Sequence, residues 1–104
     1  MAEVMIKVLE IVDDSGYPTF IKCELTDYKN IKHYFIDKVP VICGNCNRYN
    51  NNLPCIIDNC SGRIRCTIVN ETDKTYIIDT QSPDDVDSIM NEYQFEVWKE
   101  QVNL

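Results

Sequence analysis

The sequence predicts an all-β or β-dominated single domain spanning residues 1–104, a small antiparallel barrel or curled sheet of five to six strands with one short helix. Three observations carry this. Apolar and polar residues alternate with the two-residue period of a strand in several short runs. Polar turn clusters such as Asp13-Asp14-Ser15-Gly16-Tyr17-Pro18 separate those runs. A chain of 104 residues is long enough for one hydrophobic core and too short for two. Hydrophobic residues make up 44% and charged residues 26%, the balance of an ordinary folded domain and not of a disordered or membrane-embedded one.

Taken in order, Val4 to Val12 is the first expected strand. Val4, Ile6 and Val8 share one parity, and Met5, Leu9 and Ile11 include the other, as in a strand covered on both sides. Thr19 to Thr26 alternates with Ile21, Cys23 and Leu25 on one face. Asp27-Tyr28-Lys29-Asn30 reads as a hairpin connection to a third strand over Ile31 to Ile36, and Pro40 is expected to end or edge the continuation of that strand through Val39 and Val41. A cysteine-rich loop at residues 43–62 follows. Arg63 to Asn70 and Thr75 to Asp79 then form a second hairpin about the polar turn Glu71-Thr72-Asp73-Lys74. Ser82-Pro83-Asp84-Asp85 has the form of a helix start, with Ser as cap and Pro in the first position, so a short helix is expected over Pro83 to Met90. Tyr93 to Trp98 is the last strand, and Glu100 to Leu104 is expected to fray. The expected core is Ile6, Val8, Ile21, Cys23, Leu25, Phe35, Ile64, Cys66, Ile68, Ile77, Phe95 and Val97.

Parity divides the six cysteines before any chemistry does. Cys23 and Cys66 fall on apolar strand faces, where a thiol behaves as a small buried hydrophobe. The other four, Cys43, Cys46, Cys55 and Cys60, form a Cys-x2-Cys pair and a Cys-x4-Cys pair, both within the spacing by which zinc sites pair their ligands. One structural Zn2+ held by four thiolates, one or two disulfides, and reduced thiols without a partner all remain open, and zinc leads. Against it stand the short eight-residue gap between the pairs and a glycine inside the first pair. Residues 1–8 lack the pattern of an export leader and no apolar run approaches a membrane span, so a reducing cytoplasm is the expected compartment.

Catalytic constellations are not evident, and the expectation is that the protein is not an enzyme. Cys43-Gly44-Asn45-Cys46 has the form of a redox motif, yet the Asn-rich residues that follow make a poor helix to activate it. His33, the single histidine, reads as a strand surface residue with no Ser or Cys motif beside it. Asp84-Asp85-Val86-Asp87 lacks the glycine and distal glutamate of a calcium loop. Three glycines supply no phosphate loop.

The segments "YPTFIKCELTD", "HYFIDKVPVI", "GRIRCTIVNE" and "YIIDTQSP" together resemble a group of small single-domain bacterial proteins of unassigned function. The matched residues are strand and turn positions, so the resemblance implies a shared fold and carries no catalytic residue over. A cysteine-rich loop is not part of the group's pattern, which implies that the thiols are an addition to the fold.

Charge gives the functional expectation. At a net −7 the chain is poorly suited to phosphate backbones or anionic membranes. Between Lys74 and Lys99 every charged residue is acidic: Asp79, Asp84, Asp85, Asp87, Glu92 and Glu96. Such a tract is either a solvated face that keeps the protein soluble or a surface for a basic partner. The leading expectation is a small bacterial protein-interaction module that presents Asp84, Asp85 and Asp87 to a basic protein, as an immunity protein or antitoxin does. The rival is a nucleic-acid-binding barrel with a zinc-fixed loop, using Arg48, Arg63 and Arg65.

Overall fold

The structure is a computed structural model that describes residues 2–13, 20–42 and 61–104. Its elements are β1 (Ala2–Asp13), β2 (Phe20–Thr26), β3 (Lys32–Lys38), the short helix α1 (Val39–Ile42), β4 (Ser61–Glu71), β5 (Thr75–Asp79), β6 (Gln94–Trp98), a 3-10 turn (Lys99–Gln101) and β7 (Val102–Asn103). The strands are antiparallel and run in the order β3-β2-β1-β4-β5-β6. Two three-stranded meanders are thus joined through their first strands, with Val4 opposite Ile64. The sheet curls into a half-barrel, as the sequence predicts.

The curl has identifiable causes. Register slips between Val8 and Glu10, between Ile11 and Asp13, and between Ile68 and Asn70 each set an extra residue into one strand, which bends and twists the sheet. The first slip also corrects the reading of β1. Its two apolar parities are not two covered faces: Met5 is exposed, and Ile11 regains the core face, opposite buried Ile21, because the extra residue Leu9 reverses the alternation.

The core holds Val4, Ile6, Val8, Ile21, Cys23, Leu25, Phe35, Ile64, Cys66, Phe95 and Val97, joined by Ile42, Ile78, Val86 and Val102. Two expected members differ. Ile77 is only partly buried, because β5 pairs Ile78 with Phe95 and leaves Ile77 opposite Glu96 on the outer face. Ile68 is partly buried against the core at the slip in β4.

Three expected elements are also corrected. Residues 39–42 are helical and do not prolong β3. Pro40 lies in the first turn of α1, where its missing N–H costs no helical hydrogen bond. No helix forms over Pro83 to Met90; the backbone there bonds to β3 instead, as described below. The C-terminal residues do not fray, since Val102 is buried and β7 pairs with β1 at Glu3 and Val4.

Gly62 marks where the chain re-enters the sheet. A Cβ at this position would lie 2.8 Å from the Ile42 carbonyl oxygen and 2.9 Å from Ile6 Cδ1, so α1 and the start of β4 abut with no room for a methyl group. Gly62→Ala is therefore expected to destabilise the fold by about 1–3 kcal/mol, read as a lower denaturation midpoint at unchanged slope. A midpoint equal to that of the wild type would show that this contact yields at no cost.

A candidate acidic interaction surface

The two ends of the strand order, β3 and β6, approach one another, and side chains close the seam between them. The rings of Phe35 and Phe95 meet edge to face, with centroids 5.6 Å apart. His33 packs on Phe95 at 4.7 Å. The Tyr28 N–H donates to the Glu96 carbonyl at 2.9 Å. Gln101 works as a clasp: its Oε1 accepts from Trp98 N–H and its Nε2 donates to the Thr26 carbonyl, each at 2.8 Å.

Residues 80–93, which join β5 to β6, cross this seam. Their base is tied where the Thr80 N–H donates to the Tyr93 carbonyl at 2.8 Å. Val86, with no exposed surface, anchors the middle. The stretch then lies antiparallel to the outer edge of β3: Ile36 N–H donates to the Asp87 carbonyl, Ile89 N–H donates to the Tyr34 carbonyl, each at 3.0 Å, and Phe35 bridges Ser88 between them. This explains the missing helix, because these groups bond to β3 and not along their own turn. Asp85 (φ 49°) and Asn91 (φ 56°) adopt the left-handed conformation, which Asp and Asn accept more readily than most residues and which a helix does not allow.

The tract's acids separate into two kinds. Asp84 accepts two hydrogen bonds from Arg65, including Nε to Oδ2 at 2.9 Å, and these hold the guanidinium further above its ordinary value. Asp79 accepts from Gln81 N–H and Gln94 Nε2. Glu96 accepts from the Thr75 hydroxyl at 2.6 Å, and Glu92 Oε2 lies 3.4 Å from His33 Nδ1. Asp85 and Asp87 alone of the six are exposed with no side-chain partner among the described residues. Of the three acids expected to meet a partner, two stand free and the third is engaged inside the fold.

Residues absent from the expected site also shape it. Asp37, opposite Ile21 in the sheet, is buried behind the segment; its carboxylate accepts from Lys38 N–H at 2.7 Å and from Asp87 N–H at 3.4 Å. It adds negative charge beneath Asp87. His33 is not a surface residue, as its side chain is only 17% exposed. Its Nε2 meets Asp27 Oδ2 at 2.8 Å, and the Asp27 carboxylate also accepts from Lys29 and Ile31 N–H. Burial pushes the Asp27 carboxyl up, but the His33 hydrogen bond, the two backbone donors and the His33 charge together outweigh it and hold the group below its ordinary value.

The arginines of the rival reading are engaged as well. Arg63 Nε lies 2.9 Å from Glu3 Oε2, an ion pair without hydrogen-bond alignment, and Arg65 is held by Asp84. Arg48, Cys43, Cys46, Cys55 and Cys60 lie outside the described residues. Cys23 and Cys66 are buried as expected, and burial pushes the Cys66 thiol up to about 11, which keeps it protonated and unreactive at neutral pH. Among the described residues no three His, Cys, Asp or Glu side chains converge as a metal site, and no helix is long and apolar enough to cross a membrane.

Comparison with protein-family models, curated proteins and solved structures finds no match to this chain. The class that fold and surface define is therefore a physical one: an antiparallel half-barrel whose seam carries an acidic crossing segment.

Proposed function

We propose that this chain is a non-enzymatic interaction module of the bacterial cytoplasm that binds a protein with a basic surface through residues 80–93, in the manner of an immunity protein or antitoxin masking a basic toxin. One observation carries the reading. Asp85 and Asp87 stand exposed, with no side-chain partner among the described residues, on a segment whose backbone is pinned to β3, so two charges are presented from a pre-ordered support. Such a surface attracts cations at a distance and loses little conformational freedom on binding. Nucleic-acid binding ranks second, because Arg63 and Arg65 are already neutralised by Glu3 and Asp84. The test pairs capture from a bacterial lysate with retention on single-stranded DNA at physiological salt. A basic protein bound by the wild type and released by Asp85→Asn/Asp87→Asn supports the reading. DNA retention lost on Arg63→Ala/Arg65→Ala contradicts it.

A structural role for Zn2+ at Cys43, Cys46, Cys55 and Cys60 belongs to the same proposal. The eighteen residues 43–60 leave the described fold at Ile42 and return at Ser61, beside Gly62, where an added Cβ would lie 2.8 Å from the Ile42 carbonyl oxygen. A long excursion with adjacent ends gains from an internal cross-link, and four thiolates would close a tetrahedral site to water. Native mass spectrometry of protein purified without chelator is expected to find one zinc. A mass lower by two protons per linked pair points to disulfides, and six titratable thiols without metal to an uncommitted segment.

A further inference from the structure

Beside the free acids, the same segment displays apolar side chains that the charge reading leaves unused. Met90 is 69% and Ile89 47% exposed. The bridge of Phe35 to Ser88 sets Ile89 next to Tyr34 and Asp87 next to Ile36 across the seam, while β2 places Glu24 beside Tyr34 and Lys22 beside Ile36. Phe35 is buried on the inner face, so Tyr34, Ile36, Ile89 and Asp87 share the outer one. Tyr34, Ile36 and Ile89 thus form an apolar strip, followed in the chain by exposed Met90; Asp87 borders it on the side of the crossing segment, with exposed Asp85 two residues before, and Glu24 and Lys22 border it on the other, the Lys22 ammonium lying 5.0 Å over the Tyr34 ring.

We propose that this strip is the anchor of the interface and that the partner offers an apolar pocket rimmed by Lys or Arg, Met90 entering the pocket while Asp85 and Asp87 meet the rim. The inference rests on the acidic-surface reading and adds the partner's shape and chemistry. Interfaces of this composition place desolvated apolar contacts at the centre and charge at the edge. A second copy of the chain is the wrong occupant, since each carries a net −7 and docking would bring acid against acid. A phosphate backbone is wrong for the same reason and offers nothing to an exposed methionine.

The test uses the whole chain, 15N-labelled, and two synthetic peptides of equal length and charge, one alternating Lys with Leu and the other Lys with Ser. The Lys–Leu peptide is expected to bind roughly tenfold more tightly, the worth of one buried apolar side chain. Amide shifts should centre on Tyr34, Ile36, Ile89 and Met90. Met90→Ser and Ile89→Ser, both at exposed positions, should remove most of that advantage and leave Lys–Ser binding unchanged, whereas Asp85→Asn/Asp87→Asn should weaken both peptides. Equal binding of Lys–Leu by Met90→Ser and wild type would overturn the anchor while the acidic reading stood, whereas shifts centred on Trp98 and Tyr28, away from residues 80–93, would overturn both. If Asp85→Asn/Asp87→Asn bound both peptides like wild type, the acidic reading would fail and the anchor with it.

Discussion

Phe35→Ala is expected to destabilise the fold by about 3–5 kcal/mol, the range for truncating a fully buried phenylalanine, out of a total on the order of 5–15 kcal/mol for a domain this size. Phe35 has no exposed surface and meets Phe95 across the seam between β3 and β6, which no strand ladder closes among the described residues, so collapse of the cavity would draw the seam itself. Its backbone also bridges Ser88. Hydrogen exchange at Ile36 and Ile89, whose N–H groups tie β3 to the acidic segment, should therefore accelerate along with the loss of stability. A cost below about 1 kcal/mol would mean that the seam repacks around the missing ring and does not depend on it.

Asp27→Ala is expected to cost about 2–3 kcal/mol at neutral pH, because it removes a carboxylate that accepts hydrogen bonds from the Lys29 and Ile31 N–H groups and pairs with His33 Nε2. The pH dependence follows from the direction of the shift. Asp27 has a folded value below its unfolded one, so its contribution is present above the ordinary carboxylate value of about 4 and is lost as pH falls through the lower folded value. The gap between wild type and Asp27→Ala should be open above about pH 5 and close in acid. A gap that widened in acid would show that the carboxylate is not the stabilising form.

Much of this fold was legible in residue order. Strand period and turn chemistry located β1 to β6, and parity placed Cys23 and Cys66 in the core, since both signals are local. What escaped was non-local. Ser82 and Pro83 carry a sound helix start, yet Val86 finds a fully buried place and β3 offers an edge that bonds to Asp87 and Ile89, so tertiary bonding outweighs a cap. The slip at Leu9 disguised one covered face as two. The engagement of Asp84 by Arg65, nineteen positions apart, has no sequence signal, and neither has the burial of Asp37 behind Asp87. The acid tract was visible as composition; which acids stand free depends on which neighbours the sheet delivers.

That division decides how the acidic-surface proposal is tested. Asp84→Asn breaks an internal ion pair and mixes stability with binding, whereas Asp85→Asn/Asp87→Asn changes charge on exposed side chains that have no hydrogen-bond or ion-pair partner among the described residues. The most direct measurement is the association rate of the captured basic partner as a function of ionic strength, for wild type and for Asp85→Asn/Asp87→Asn. The wild-type rate should fall steeply with salt, and the double variant should associate roughly tenfold more slowly at low salt with a flatter dependence, its melting temperature unchanged. Equal rates and equal salt slopes for the two proteins would contradict the claim that residues 80–93 present the binding surface.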